Sequence, residues 1–352
     1  MSQVAGAEQA ADIEDKAPKT APPRVAVPRV AVIVPAYGVA HLLPEALTSL
    51  QAQTMTDWQC VVVDDGAPDD VAGAVAPFLA DPRICLLETD NGGVSAARNR
   101  AIAETNAPLI ALLDGDDLLR PEYLALTCAA LEADKDARLA TVNARIFGAV
   151  AEEGLCFANK QGSGAGDTGS LCDVLDRSFS VYIGSTFRRC DFDAIGGFDT
   201  SMTHAEDFDL WVRLMLLGGH ALYINEMLAD YRVRSKSASA SGRRMLQGNI
   251  RTFEKALAQL KNGSRAAKIA KAMISENQRQ LRFETAMDRV IDGDLGAIRQ
   301  IRNNAPSDLG VVWDAAFLAW NIVPSLAPPM LAHRRRRNAR GAGAGEHAQK
   351  AA

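Results

Sequence analysis

Three carboxylates fall within four positions at Asp114-Gly115-Asp116-Asp117, directly after the apolar run Leu109-Ile110-Ala111-Leu112-Leu113. Like charges this close repel, so a fold has reason to gather them when a cation joins them. Hard carboxylate oxygens suit Mg2+ or Mn2+ better than zinc, and the spacing is not that of a calcium-binding EF-hand loop. The same residues also read as a turn, because Asp-Gly is a hairpin signal and acids after a strand commonly solvate a loop. A second acidic pair, Glu206-Asp207, precedes Phe208, Trp211, Leu214 and Met215, an apolar stripe at helical spacing. Acids at the start of a helix complement its positive end, so capping accounts for this pair on residue type alone.

The elements that position these groups follow from apolar patterning. Arg29 to Val34 is a β-rich run stopped by Pro35, and Pro35-Ala36-Tyr37-Gly38 makes a turn before Leu42, Leu43, Ala46, Leu47 and Leu50 fall at helical spacing. Cys60-Val61-Val62-Val63 ends in Asp64-Asp65-Gly66, and Ile84 to Leu87 precedes Asn91-Gly92-Gly93 and a helix over Val94–Glu104. The run at 109–113 is then a fourth strand, buried on both faces because it lacks polar alternation. Strands alternating with helices at this interval imply βαβ units and a parallel sheet, at whose carboxyl edge ligands bind. Tyr37, Asp64, Asp65 and the acid cluster all reach that edge. A tyrosine ring can stack on a nucleobase, and a carboxylate can accept from a ring N–H or a ribose hydroxyl. Asp64 and Asp65 equally suit helix capping or a turn with Gly66. Asn91-Gly92-Gly93 at a helix start offers backbone N–H groups to an anion, and Arg98 one turn on is either a diphosphate ligand or a surface cation.

Composition narrows the class. With 48% hydrophobic and 23% charged residues in 352, the chain has an ordinary globular balance, and a net charge of -5 disfavours nucleic acid as a partner. The six cysteines form no CxxC pair, which leaves free thiols of a reducing cytosol as the simplest account. No apolar segment follows a basic start, so no secretory signal is expected.

Val30 to Tyr37, Val63-Asp64-Asp65-Gly66, Asn91 to Asn99 and Leu113 to Asp117, in this order and spacing, resemble a family 2 glycosyltransferase with the GT-A fold. The resemblance covers roughly 28–235 and implies a Rossmann-like, mostly parallel sheet flanked by helices. It implies a nucleotide-sugar donor, such as a UDP-sugar, bound by Pro35, Tyr37, Asp64, Asp65, Arg98, Asp114 and Asp116. It also implies a divalent cation, Mg2+ or Mn2+, held by Asp116 with Asp114 near the ribose or the metal, and Asp117 as a neighbour. Ile195-Gly196-Gly197-Phe198-Asp199 matches the family's GGFD element on the acceptor side. The family's ED pair falls on Glu206 and Asp207, with Asp207 as general base and Glu206 orienting the acceptor or its loop. The implied reaction is inverting, metal-dependent transfer of a hexose to a hydroxyl of a glycan or lipid-linked saccharide, in polysaccharide or cell-envelope synthesis. One departure stands out: where the family often carries a histidine after Tyr-Arg, this chain has Tyr231-Arg232-Val233-Arg234. Arg234 or Lys236 then becomes a candidate to neutralise the diphosphate, and His204 a candidate substitute ligand. The rival readings are a nucleotidyltransferase on a related sheet, for which Pro35-Ala36-Tyr37-Gly38 lacks a cation, and a non-catalytic sugar-nucleotide scaffold.

The expected organisation is a disordered lead-in over 1–28, a catalytic domain over 29–240, a helical region over 241–333 and a basic tail over 334–352. Pro121 to Ala133 reads as a helix, Ala140 to Phe147 and Ser185 to Arg188 as strands, and the glycine-bearing stretch 148–180 as a loop. Leu309 to Ala332 is mostly apolar but broken by Pro324, Pro328 and Pro329, then followed by Arg334 to Arg337. That pattern is read as an interfacial segment, 309–337, on an anionic membrane at its cytoplasmic face, or as a helix packed on the rest of the protein.

Overall fold

The computed structural model describes residues 27–150, 152–157, 167–234, 242–306 and 310–341. Most of the lead-in, part of the 148–180 loop, Lys236 and the last residues of the basic tail lie outside them. The first half is β1 (Val30–Ala36), α1 (Leu43–Gln51), β2 (Trp58–Asp65), α2 (Val71–Val75), β3 (Ile84–Thr89), α3 (Val94–Ala103), β4 (Leu109–Leu112), β5 (Leu118–Leu119) and α4 (Tyr123–Ala133). Then come β6 (Ala137–Gly148), β7 (Gly154–Leu155), β8 (Thr168–Gly169), α5 (Leu171–Leu175), β9 (Thr186–Arg188), α6 (Arg189–Ala194), α7 (Glu206–Leu216) and β10 (His220–Val233). The C-terminal part is helical: α8 (Gly242–Gln259), α9 (Arg265–Ile291), α10 (Ile298–Asn304), α11 (Val311–Ile322) and α12 (Ala327–Gly341).

One sheet runs β3-β2-β1-β4-β9-β6-β10-β5. β3, β2, β1 and β4 are parallel, so the carboxyl ends of β1, β2 and β4 share one edge. β9 enters antiparallel between β4 and β6. Side chains of a strand alternate faces, and here both faces are filled. Val30, Val32 and Val34 with Leu109 and Ala111 meet α1 and α4 in one core, while Ala31, Ile33, Ile110 and Leu112 meet α3 and α7 in the other. The two-face burial expected of 109–113 is therefore present.

The second core does not stop at residue 240. Phe253 and Ala256 of α8 are buried in it, with Phe208 of α7 edge-on to Phe253 at 5.3 Å between ring centroids. The boundary expected between 240 and 241 is thus no break in packing. A third cluster sits further on, where Phe283, Met287 and Val290 of α9 pack on Phe317 and Trp320 of α11 and Leu331 of α12.

Candidate active site

The acid cluster is held at the sheet edge by backbone contacts. The Leu113 N–H donates to the Ile33 carbonyl at 3.0 Å, which carries the chain on beside β1 after β4 ends. The Asp117 N–H donates to the Asp114 carbonyl at 2.9 Å and closes a tight turn. Gly115 lies against β1 inside that turn: a Cβ there would stand 3.0 Å from Val39 Cγ2 and 3.2 Å from the Pro35 carbonyl oxygen. The turn is not a hairpin, because β5 pairs with β10 and not with β4.

Each carboxylate of the cluster has a protein partner. Asp114 accepts from Arg98 Nη2 at 2.7 Å. Asp116 Oδ2 is ion-paired with Arg234 Nε at 2.5 Å. Burial raises the Asp116 pKa, as does Asp114, against the opposing pull of Arg234. Asp117 is almost fully buried and accepts from the Tyr182 hydroxyl and the Arg232 N–H, each at 2.8 Å. Its burial, with Asp114 and Asp116 adding to it, holds its carboxyl well above the ordinary range, as expected of a structural acid behind the turn.

Glu206 and Asp207 are the first two residues of α7, whose stripe Phe208, Trp211, Leu214 and Met215 is buried. Ala205 before them is left-handed at φ 57°, a conformation that a Cβ disfavours and that tertiary contacts must enforce. Glu206 accepts from Arg98 Nη1 at 3.0 Å. Arg98, only 2% exposed, therefore joins the acid cluster to the start of α7 through one guanidinium. Burial opposes its charge, yet Asp114 and Glu206 hold its pKa above the ordinary arginine value. Asp207 retains some exposed surface, while desolvation and the neighbouring Glu206 push its carboxyl up to about 6.

Among the residues expected to bind a nucleotide, several make contacts within the protein. Tyr37 projects at the end of β1, 54% exposed. Asp64 accepts from the Ala67 N–H at 2.8 Å through Oδ1, the turn role weighed against ligand binding. Asp65 is buried, and its two oxygens accept from the Gly92 and Gly93 N–H groups at 2.8 and 2.9 Å. The N–H groups expected to be open to an anion are thus filled by a carboxylate of the same edge. Arg98 likewise bridges two carboxylates instead of standing free for a diphosphate, because the helix carries it inward between them. His204 meets the Thr203 hydroxyl at 3.2 Å and is no part of the acid cluster.

Asn99, Asp199 and Arg177 support the site, the last from a stretch to which sequence patterns gave no role. Asn99 of α3 donates to the Phe198 carbonyl at 2.9 Å and accepts from the Phe198 N–H at 2.8 Å, pinning the GGFD turn. Asp199 in that turn is pushed up by burial but held well below the carboxylate range by Lys255 and Ser201. Arg177, left-handed at φ 66°, lays its guanidinium 3.6 Å from the Phe208 ring centroid and donates to Asn249 of α8 at 2.9 Å. Burial pushes its pKa down to about 10, with the nearby Asp207 opposing.

A divalent cation needs several oxygen donors with free lone pairs around one point. Asp114 and Asp116 are both in guanidinium ion pairs, and Asp117 faces Tyr182 and the Arg232 N–H. Among the described residues no group of three or more His, Cys, Asp or Glu side chains is arranged to hold a metal ion. As arranged, this donor set fits a guanidinium better than the Mg2+ or Mn2+ expected at Asp116 and Asp114.

A parallel sheet edge bearing an acid cluster, facing an acidic helix start across a buried arginine, defines an α/β protein of GT-A type. Residues 31–155 match the model of glycosyl transferase family 2. Among curated relatives, the uncharacterized glycosyltransferase EpsJ of Bacillus subtilis is 40% identical over 93 residues, 26% of this chain and 27% of EpsJ. Chondroitin synthase of Escherichia coli is 27% identical over 197 residues, 54% of this chain and 27% of the synthase. The chain thus spans about a quarter of the length of these relatives. Among solved structures, S. aureus TarS superposes with TM-score 0.57 at 17% identity, covering 79% of this chain and 49% of TarS. The mannosyltransferase PcManGT of Pyrobaculum calidifontis, solved with GDP-Man and Mn2+, gives 0.56 at 20% identity over 96% of this chain and 90% of its own. At these identities the superpositions speak for the fold.

Proposed function

We propose that this chain transfers a sugar from a nucleotide-sugar donor to an acceptor hydroxyl with inversion at the anomeric carbon. The observation that carries this reading is the Arg98 bridge, which ties Asp114 on the donor side to Glu206 beside Asp207 on the acceptor side. As the bond from the anomeric carbon to the diphosphate breaks, that carbon becomes electrophilic. The acceptor oxygen attacks from the opposite face while Asp207 takes its proton, and a single displacement inverts the centre. A carboxyl raised to about 6 is mostly ionised at neutral pH yet basic enough to accept that proton. Glu206, fixed by Arg98, orients the start of α7 and the acceptor beside it.

TarS has been solved with UDP and with UDP-GlcNAc, and PcManGT with GDP-Man, so uridine and guanosine diphosphate sugars are the first donors to test. In this reading Pro35, Tyr37 and Asp64 line the nucleotide side, with Asp65 and Arg98 supporting it. The acceptor is a glycan or lipid-linked saccharide, in keeping with a chondroitin synthase among the relatives. PcManGT was solved with Mn2+, and a cation at Asp116 of this chain would require Arg234 to release that carboxylate. No helix among the described residues is long and apolar enough to cross a membrane. α11 does expose Val312, Leu318 and Ile322 at 78%, 64% and 74%, and these support a peripheral contact of 309–337 with an anionic membrane at its cytoplasmic face. The test of transfer is release of nucleoside diphosphate from a panel of nucleotide sugars. Turnover of at least one donor is expected, and turnover of none contradicts the reading.

A further inference from the structure

Resting on the nucleotide-sugar reading, we propose that Arg234 supplies the positive charge at the donor's diphosphate that a divalent cation supplies elsewhere, so that donor binding is independent of metal. Arg234 follows the last residue of β10, and its Nε meets Asp116 Oδ2 at 2.5 Å inside the acid cluster. That ion pair is its only polar contact among the described residues. The Asp116 side chain is 14% exposed and the Arg234 side chain 34%, so the carboxylate is covered while the guanidinium keeps an open side. A planar guanidinium offers five N–H donors, and one ion-paired on its Nε side can present its terminal nitrogens to phosphate oxygens.

The neighbouring contacts leave little for a metal to bind. Asp114 is neutralised by Arg98, which also bonds Glu206. Asp117 is occupied by Tyr182 and the Arg232 N–H. Arg232 adds a second anchor to the same strand end, donating from Nε to the Asp116 carbonyl at 2.7 Å and from Nη2 to Glu45 at 2.8 Å. Arg232, two residues before Arg234, is therefore tied to the acid turn by its backbone N–H on the Asp117 carboxylate and its side chain on the Asp116 carbonyl. A divalent cation placed on Asp116 would meet a positive charge already paired with that carboxylate, whereas a diphosphate placed there would be attracted to it.

The experiment is calorimetric titration of UDP and of GDP into the full chain, with EDTA or with Mn2+, for wild type and for Arg234→Ala, Arg234→Lys and Arg234→His. Thermal melting checks that each variant folds. The wild type should bind one of the nucleotides in EDTA, with affinity little changed by Mn2+. Arg234→Ala should weaken that binding by about tenfold or more, the loss of one charge-assisted contact, and Arg234→Lys should recover part of it. Arg234→His should bind weakly in EDTA and regain affinity with Mn2+. Wild-type binding that vanishes in EDTA and returns with Mn2+ overturns the proposal, as does an Arg234→Ala variant that binds as well as wild type in EDTA. Binding of neither nucleotide under either condition overturns the nucleotide-sugar reading, and this inference with it.

Discussion

Asp207 opens α7 with partial exposure and a carboxyl pushed up to about 6. A protonated carboxyl cannot accept a proton, so donor turnover should fall as pH drops through about 6. Glu206 is one of the charges that raises it, so Glu206→Gln should move that limb to lower pH. A pH profile of kcat/KM checks both, and a limb unmoved by Glu206→Gln would contradict the coupling. Arg98 carries a different kind of prediction. Its replacement by Met leaves Asp114 and Glu206 unpaired at a buried site, which should cost about 3 kcal/mol of stability by chemical denaturation. The acidic pair was legible in sequence because two carboxylates opened an amphipathic run. The partners of Arg98 were not, since Asp114 and Glu206 lie 16 and 108 residues away. Arg177 gave no signal at all, coming from the 148–180 stretch, which has no apolar period.

At the scale of elements, the four parallel strands were readable because each apolar run ends in a polar or glycine-bearing break that falls at one sheet edge. What the breaks then bond to was less readable. Asp65 and the Gly92-Gly93 turn were both expected at this edge, each with a ligand, and they instead satisfy one another. Two backbone donors and one carboxylate can pair whenever adjacent loops approach, and local sequence does not encode that approach. The antiparallel entry of β9 between β4 and β6 is similarly a long-range pairing of a three-residue strand. Asn99 shows how such elements are joined across the site, with two hydrogen bonds to the backbone of Phe198. Asn99→Ala leaves those backbone groups without their partner, and should lower stability by about 2 kcal/mol while raising the acceptor KM more than the donor KM. Equal changes in both constants would count against a role on the acceptor side.

The second core continues from the sheet into the C-terminal helices through α8, and α11 beyond it exposes apolar side chains. The apolar content of 309–332 was visible in sequence, but its division into a packed face and an open face was not. Trp320 and Phe317 turn inward to α9, while Val312, Leu318 and Ile322 turn out. The basic residues beyond are partly engaged in the protein, with Arg334 over the Trp313 ring at 4.7 Å and Arg335 paired with Asp288. If the outward stripe meets lipid, Leu318→Asp with Ile322→Asp should abolish co-sedimentation with anionic vesicles and leave turnover of a water-soluble acceptor unchanged. Undiminished co-sedimentation would reject that face. Whether the acid turn and the start of α7 form one transfer site with Asp207 as its base is decided by Asp207→Asn. With the active donor from the nucleotide-sugar panel, release of nucleoside diphosphate in the presence of acceptor should fall by about a hundredfold or more, while calorimetric nucleotide affinity stays the same. Turnover by Asp207→Asn at the wild-type rate would contradict it.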